Sequence, residues 1–163
     1  MDIRACTADD IDAVQVIYAH HVRTGLGTFE EEPPSVGEMR ERFDALIAHQ
    51  SPYLVAEVGR RVLGYAYAGP FRPRAAYRYT CESSVYVAHD AQRRGVGREL
   101  MRRIIADCQQ LGRRQILAVI GDSGNLASIG LHATLGFVHV GVFREVGFKF
   151  GRWADVVLMQ RAL

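Results

Sequence analysis

A glycine-containing turn between an apolar strand and an amphipathic helix constrains the fold of this chain more than any other stretch. The strand is Ser-Val-Tyr-Val at 84–87, and the turn is Gln-Arg-Arg-Gly-Val-Gly-Arg at 92–98. Two glycines at alternate positions let several free N–H groups gather at a helix N-terminus, where the helix dipole favours negative charge. A spacing of three and four predicts the buried helical face, formed by Val96, Leu100, Met101, Ile104, Ile105, Cys108 and Leu111. The turn is therefore a candidate phosphate site.

The kind of phosphate site is narrowed by what the turn lacks. No Gly-Lys-Ser/Thr follows, so the Walker arrangement with its lysine and magnesium-binding hydroxyl is absent. The dinucleotide fingerprint needs a third glycine where this chain has Leu100. A strand-to-helix turn without any ligand stays open as an alternative on these residues alone.

Composition predicts one globular domain over residues 1–163, with no nucleic-acid or membrane partner. The formal net charge is +2, the charged fraction is 23%, and no apolar run is long enough to span a bilayer. The first residues lead directly into a strand pattern without a signal-peptide core, so we expect a cytoplasmic protein. The three scattered cysteines, Cys6, Cys81 and Cys108, predict neither a disulfide framework nor a metal site. His20 and His21 are interpreted as surface or structural residues.

The order of elements is predicted as β-α-α-β-β-β-α-β-α-β-β. The central βαβ crossover requires parallel strands and the hairpins require antiparallel ones, so the sheet is mixed. A loop at 23–34 is longer than usual connections and is a candidate part of a substrate cleft. The later strands are predicted at 77–87, 116–120, 137–146 and 155–163, and a helix after residue 125 is expected to turn Leu126 inward.

This order and the turn at 92–98 resemble the GNAT superfamily of acetyl-CoA-dependent N-acetyltransferases. A second signature of that family is similar to Asn125-x-x-Ser128 and to the stretch Leu-His-x-x-Leu-Gly-Phe at 131–137. The resemblance implies an α/β fold of mixed α+β type, the GNAT-like acyl-CoA N-acyltransferase fold, with a central mixed sheet of about seven strands flanked by about four helices.

A closer resemblance covers nearly the whole chain and points to the phosphinothricin and methionine sulfoximine N-acetyltransferase branch. It is carried by Thr28-Phe29, Arg72-Pro73, the stretch 82–87, residues 124–136 and the aromatic-lysine cluster at 147–153. It implies an acceptor that is a small amino acid analogue, and related enzymes form homodimers.

Acetyl transfer to an amine requires an uncharged amine, a stabilised oxyanion and a proton for the departing thiolate. Glu82 is the candidate base, acting through a water, because a carboxylate on an apolar strand beside a cavity would have a raised pKa. An edge-strand glutamate in solvent is the alternative. His132 stands where many family members carry a tyrosine that protonates the thiolate. An imidazole could protonate the thiolate or assist amine deprotonation, or it could be a packed structural residue.

The remaining site residues are assigned by what the resemblance implies. Asn125 could bind the cofactor arm, cap its helix, or do both. An acidic acceptor is expected to be attracted by Lys149, Arg72 and Arg78, with Phe29 and Trp153 walling the cleft, although each charge could simply be solvated surface. The acetyl-CoA site is expected to comprise Val85, Tyr86, Val87, Arg93, Arg94, Gly95, Val96, Gly97, Arg98, Asn125 and Ser128.

The resulting functional hypothesis is an acetyl-CoA-dependent N-acetyltransferase for an amino-acid-like substrate of the phosphinothricin or methionine sulfoximine type. Two alternatives stay open. One is an acetyltransferase for a protein N-terminus or another amine, because the residues that bind acetyl-CoA give little information about the acceptor. The other is an acyl-CoA sensor without turnover. The substitution Glu82→Gln distinguishes the two classes, because an enzyme should lose most of its turnover while still binding acetyl-CoA, whereas a sensor has no turnover to lose.

Overall fold

The computed structural model describes residues 1–163 and has a seven-stranded sheet at its centre. The strand order is β1-β2-β3-β4-β5-β7-β6, in which only the β4–β5 pair is parallel, so the predicted mixed sheet is confirmed. The strands are β1 (Asp2–Ala5), β2 (Tyr53–Val58), β3 (Arg61–Pro70), β4 (Thr80–Val87), β5 (Gln115–Gly121), β6 (Val138–Lys149) and β7 (Arg152–Ala162).

Four α-helices join these strands, and local sequence explains where they begin. They are α1 (Ile11–Thr24), α2 (Val36–Ala48), α3 (Val96–Gln110) and α4 (Leu126–Thr134). Ser35 opens α2 with a capping box in which its hydroxyl accepts from the Glu38 N–H, while the Glu38 carboxylate accepts from the Ser35 N–H. The order of elements matches the prediction. None of the helices combines the length and apolarity that crossing a bilayer would need.

Alternation along the strands divides the core between the two faces of the sheet. In β2, Leu54 and Ala56 pack with the buried stripe of α3, whereas Tyr53 and Val55 pack with α1 and α2. The second face carries a group of tyrosines, in which Tyr65 stacks on Tyr86 with ring centroids 5.3 Å apart.

Several predicted boundaries were wrong. Residues Ala75–Tyr77 form a 3₁₀ turn, so β4 begins at Thr80 and not at residue 77. The last hairpin runs farther than predicted, because β6 and β7 pair through Lys149 and Arg152 around a turn at Phe150 and Gly151. Leu126, expected to face inward, is 74% exposed because it occupies the first position of α4.

Candidate active site

The two parallel strands separate where their pairing ends, and this separation creates the site. Strand β4 pairs with β5 only from Thr80 opposite Gln115 to Ser83 opposite Ala118. Beyond that point both strands continue without pairing to each other, and a cavity of about 1070 Å³ occupies the gap. Its walls include the predicted residues Val85, Tyr86, Val87, Arg93, Gly95, Val96, Gly97, Arg98, Asn125, Ser128 and His132.

The glycine turn presents unpaired donors to one end of this cavity. Arg93 and Gly95 both adopt left-handed backbone conformations, with φ of 59° and 83°, which bend the chain sharply into α3. No side chain caps the helix, so the first N–H groups of α3 have no partner within the chain. Arg93, Arg94 and Arg98 are exposed and form no ion pair. The geometry suits an anionic group such as a diphosphate.

The edge of β4 that faces the cavity has open backbone groups. Successive N–H groups of a strand point to opposite edges, and β3 pairs with only one edge of residues 84–87. In this stretch the carbonyl of Val87 has a side-chain partner, because His21 Nε2 lies 2.8 Å from its oxygen. His21 also lines the cavity. The interpretation of His21 as a surface or structural residue therefore missed a wall residue.

Glu82 lies at the end of the paired segment of β4, one residue before the strands separate. It is opposite Gly69 on β3 and Leu117 on β5. The carboxylate is half-buried and has neither a hydrogen bond nor an ion pair within the chain. Desolvation raises the pKa of Glu82 above its ordinary value. Such a carboxylate is able to accept a proton nearer to neutral pH than an exposed glutamate can.

His132 is held with one nitrogen fixed and the other available. The ring is 3% exposed, packs edge-on against Phe137 and has its Nδ1 2.8 Å from the carbonyl oxygen of Ser128. A carbonyl can only accept, so Nδ1 carries the hydrogen and the neutral ring has its lone pair on Nε2. Burial lowers the pKa of His132, which favours this neutral form. His132 lines the cavity, so its Nε2 lone pair is suited to accept a proton there.

Asn125 joins the cavity wall to the start of α4. Its Oδ1 accepts from the N–H of Ser128 at 3.2 Å, and its Nδ2 donates to the carbonyl of Gly121 at 3.4 Å. The capping role considered from the sequence is therefore present, and the same side chain lines the cavity.

The two predicted acceptor arginines lie on the loop that joins β3 to β4. Arg72 and Arg78 are exposed and form no ion pair, and Arg72 stacks over Phe71 with its guanidinium carbon 5.0 Å from the ring centroid. The loop begins after Pro70, next to the Gly69–Glu82 pair, so the backbone of Glu82 lies along β4 between this basic loop and Ser83, the first residue of the strand that lines the cavity.

Phe29, Lys149 and Trp153 do not line the cavity, and the other predicted site residues that do not line it are Glu82, Arg72, Arg78 and Arg94. Phe29 covers Gly147 so closely that a Cβ added there would lie 2.3 Å from its ring. Lys149 is 1% exposed, and its ammonium donates to the carbonyls of Gly25 and Thr28 at 2.8 Å each. Trp153 is 60% exposed and packs against Phe148.

The connection between α1 and α2 supplies wall residues that the sequence indicated only in outline. Its length made it a candidate part of the cleft, and Gly25, Leu26 and Gly27 do line the cavity. Phe150 and Arg152 at the tip of the last hairpin line it as well; they belong to the aromatic-lysine cluster at 147–153, from which only Lys149 and Trp153 had been assigned to the site.

Comparison with known proteins agrees with this architecture. The family described as the acetyltransferase (GNAT) domain matches residues 3–158. The phosphinothricin N-acetyltransferase of Alcaligenes faecalis is 56% identical over 161 residues, covering 99% of this chain and 82% of that protein. The L-methionine sulfoximine/L-methionine sulfone acetyltransferase of Pseudomonas paraeruginosa is 38% identical over 159 residues, covering 97% and 92%. A crystal structure of a phosphinothricin acetyltransferase from Sinorhizobium meliloti in complex with AcCoA superimposes with a TM-score of 0.96 at 42% identity, covering 99% and 88%.

The chain belongs to the GNAT acetyltransferase family. It is therefore an N-acetyltransferase with acetyl-CoA as its co-substrate, which confirms the enzyme class and the cofactor predicted from the sequence. The predicted resemblance to the phosphinothricin and methionine sulfoximine branch is confirmed by the same relatives.

Proposed function

We propose that this enzyme acetylates the amino group of a small amino acid analogue of the phosphinothricin or methionine sulfoximine type. The observation that carries the proposal is the unpaired, half-buried carboxylate of Glu82, whose residue directly precedes the cavity-lining Ser83 and pairs with Gly69 next to the start of the basic loop. Relatives named for these two kinds of acceptor align over nearly the whole chain, which supports the same acceptor class.

The residues of the cavity fit acetyl-CoA. The diphosphate would be held by the free N–H groups of Val96, Gly97 and Arg98, with the charges of Arg93 and Arg94 beside them. The volume of about 1070 Å³ is at the upper end of ordinary small-molecule sites, as a long cofactor arm requires. When bound, acetyl-CoA supplies an activated acetyl group as a thioester.

The open edge of β4 would hold that thioester in place. Those N–H groups of residues 85–87 that point away from β3 are available to donate to the cofactor arm and to the thioester oxygen, on which negative charge develops as the amine attacks. Asn125 and Ser128 would border the same arm from α4. Fixed donors of this kind stabilise the developing charge without having to reorganise.

Glu82 would act as the general base. The acceptor enters as an ammonium ion and must lose a proton before its nitrogen attacks the thioester carbonyl. A carboxylate whose pKa is raised by desolvation accepts this proton more readily than an ordinary one, through a water where the distance requires it.

His132 would assist by accepting a proton at Nε2, because Nδ1 already donates to Ser128. The lowered pKa of the imidazole favours this role over that of an acid that must enter the reaction already charged. A proton taken up at Nε2 during the reaction could then be donated to the departing thiolate sulfur.

Acceptor recognition would involve the basic loop and the connection between α1 and α2. Arg72 and Arg78 carry charges that no carboxylate of the chain neutralises, which supports a role in attracting an anionic acceptor. Phe29 would supply an apolar wall from the neighbouring connection. For Lys149 the observed contacts favour an indirect role, which is developed below.

The proposal extends to assembly. Exposed apolar side chains follow the last hairpin, whose strand β6 forms the edge of the sheet, and they support a homodimer formed through this surface. They are Val138, Val140, Phe143, Val146, Phe148 and Trp153. Phe148→Glu should convert a dimeric species to a monomeric one in sedimentation, and a wild-type chain that sediments as a monomer would contradict the proposal.

We further propose that residues 1–163 act as one catalytic domain in the cytoplasm. The two apolar clusters lie on opposite faces of one continuous sheet, which supports a single unit. The three cysteines are free thiols, which is consistent with a reducing compartment.

Thiol release from acetyl-CoA with a panel of acceptors tests the function. We expect turnover with phosphinothricin, methionine sulfoximine or methionine sulfone, and little with peptides that present a free N-terminus. Peptides as the preferred acceptors would overturn the acceptor class. Glu82→Gln should lose about 100-fold or more in kcat while binding acetyl-CoA normally in calorimetry. A wild-type chain that binds acetyl-CoA but turns over none of these acceptors would favour the sensor alternative.

A further inference from the structure

A buried lysine connects the last hairpin to the loop that borders the cavity. Lys149 is 1% exposed, and its Nζ donates to the carbonyl oxygens of Gly25 and Thr28, each at 2.8 Å. The two acceptors are more than 120 residues away in sequence. Without this contact, both carbonyls would lose a charged donor in a buried place.

The ammonium has no carboxylate within ion-pairing distance, yet its surroundings compensate the charge. Gly25 is the C-cap of α1, where the helix dipole places partial negative charge. The centroid of the aromatic ring of Phe150 lies 4.9 Å from Nζ. The two carbonyls take two of its three N–H donors, and Lys149 is not among the residues that line the cavity.

The loop that Lys149 holds is docked at two further points. The carbonyl of Leu26 approaches the end of β5 so closely that a Cβ on Gly121 would lie 2.0 Å from the oxygen. The hydroxyl of Tyr18 lies 2.8 Å from Thr28 Oγ1 and donates to Glu30 at the same distance. Residues 25–27 of this loop form one wall of the cavity. Their position sets the shape of the site without any contact from Lys149 to the cavity.

We propose that Lys149 is a positioning residue that fixes the loop at residues 25–30 against the cavity, and not a residue that binds the acceptor. The catalytic part of this inference rests on the proposed function, because it assumes that the cavity takes the thioester. The structural part, that the ammonium orders the loop, does not depend on which reaction occurs.

Hydrogen–deuterium exchange on the free protein tests the structural part without any substrate. Lys149→Met keeps the length of the side chain and removes its donors, so amides in residues 25–30 should exchange at least about tenfold faster, while those of β5 and β7 stay unchanged. Lys149→Arg, which keeps a cation with donors, should restore part of the protection. Arg144→Met is the matched control, because it removes a cation of the same strand whose side chain is 72% exposed and whose ion-pair partner is Asp155 and not a residue of the loop.

Kinetics then test the catalytic part. A loop displaced by about 1 Å can cost about 100-fold, so Lys149→Met should lower kcat/KM by that order with phosphinothricin and with methionine sulfone alike. Loss confined to phosphinothricin, whose side chain carries the extra negative charge, would show that Lys149 binds the acceptor and would overturn the proposal. Unchanged exchange in residues 25–30 of a folded Lys149→Met protein would also overturn it. A wild type inactive with every acceptor would refute the proposed function, but the exchange experiment would still decide the role of Lys149.

Discussion

The contact between Gly121 and the loop predicts that a single methyl group will displace the cavity wall. In Gly121→Ala the new Cβ would lie 2.0 Å from the carbonyl oxygen of Leu26, whereas real Cβ atoms essentially never come within 3.0 Å of a neighbour. The obstructing atom belongs to the backbone, so no side-chain rotation relieves the clash. The loop must therefore retreat from β5 by about 1 Å.

The cost of that retreat follows from what holds the loop. Moving Leu26 carries the carbonyls of Gly25 and Thr28 with it, and their 2.8 Å hydrogen bonds from Lys149 would stretch beyond useful length. Overpacking of this kind destabilises by about 1–3 kcal/mol. A shift of about 1 Å in a catalytic wall costs about 100-fold in rate. We therefore expect Gly121→Ala to fold with a lowered melting temperature and to lose about 100-fold in kcat/KM.

The assay is thiol release at saturating acetyl-CoA, run beside calorimetry for acetyl-CoA binding and thermal unfolding. Gly130→Ala is the control, because a Cβ at this exposed position of α4 meets no atom within 4 Å. It should keep full activity and gain about 0.5–1 kcal/mol in stability from helix propensity. If Gly121→Ala kept kcat/KM within about twofold of the wild type, the loop would not be the positioned wall described above.

Three further predictions concern titrating groups. Since Glu82 must be ionised to act as a base and its pKa is raised, kcat/KM should fall with decreasing pH at a midpoint above the ordinary ~4.3, and a pH–rate profile without such a limb would contradict the assignment. The His132 ring should titrate below ~6.5 in NMR and carry its hydrogen on Nδ1 when neutral, and a hydrogen on Nε2 would refute the proton path. Ion pairing with Arg4 lowers the pKa of Asp10 from 3.8 to about 2, so its stabilisation is present above pH ~4 and lost as pH falls towards ~2. Asp10→Asn should therefore lower the free energy of unfolding by roughly 2 kcal/mol in urea at pH 7 and by almost nothing at pH 2, and equal losses at both would disprove the linkage.

Local patterns predicted the parts of the structure that depend on local chemistry. The buried stripe of α3 from Val96 to Cys108 is confirmed, because its spacing of three and four can bury only one face. Leu111 was placed on the same stripe but is 44% exposed, since the helix ends at Gln110. The turn at Gly95 before α3 was also predicted from its two glycines, although on those residues alone a turn without a ligand stayed open as an alternative.

Other features depend on distant parts of the chain and carry no local signal. The separation of β4 from β5 after Ser83 is a property of pairing register, which no single stretch encodes. The extent of the last hairpin was underestimated because its turn requires a positive φ of 54° at Phe150, a residue with no preference for that conformation. The burial of Lys149 contradicts its polarity, and the distant carbonyls of Gly25 and Thr28 explain it.

The burial of Lys149 has a consequence for an enzyme whose chemistry is the acylation of amines. Lys149 is the single lysine of the sequence, and every other basic side chain of the Lys/Arg type is a guanidinium, which is too weakly nucleophilic to compete. Acetyl-CoA therefore meets no accessible lysine ε-amine on the folded protein, so the enzyme does not consume its acyl donor by acetylating its own side chains. Amine-directed cross-linkers and labels should likewise leave the folded side chains untouched, and labelling at Lys149 would report unfolding.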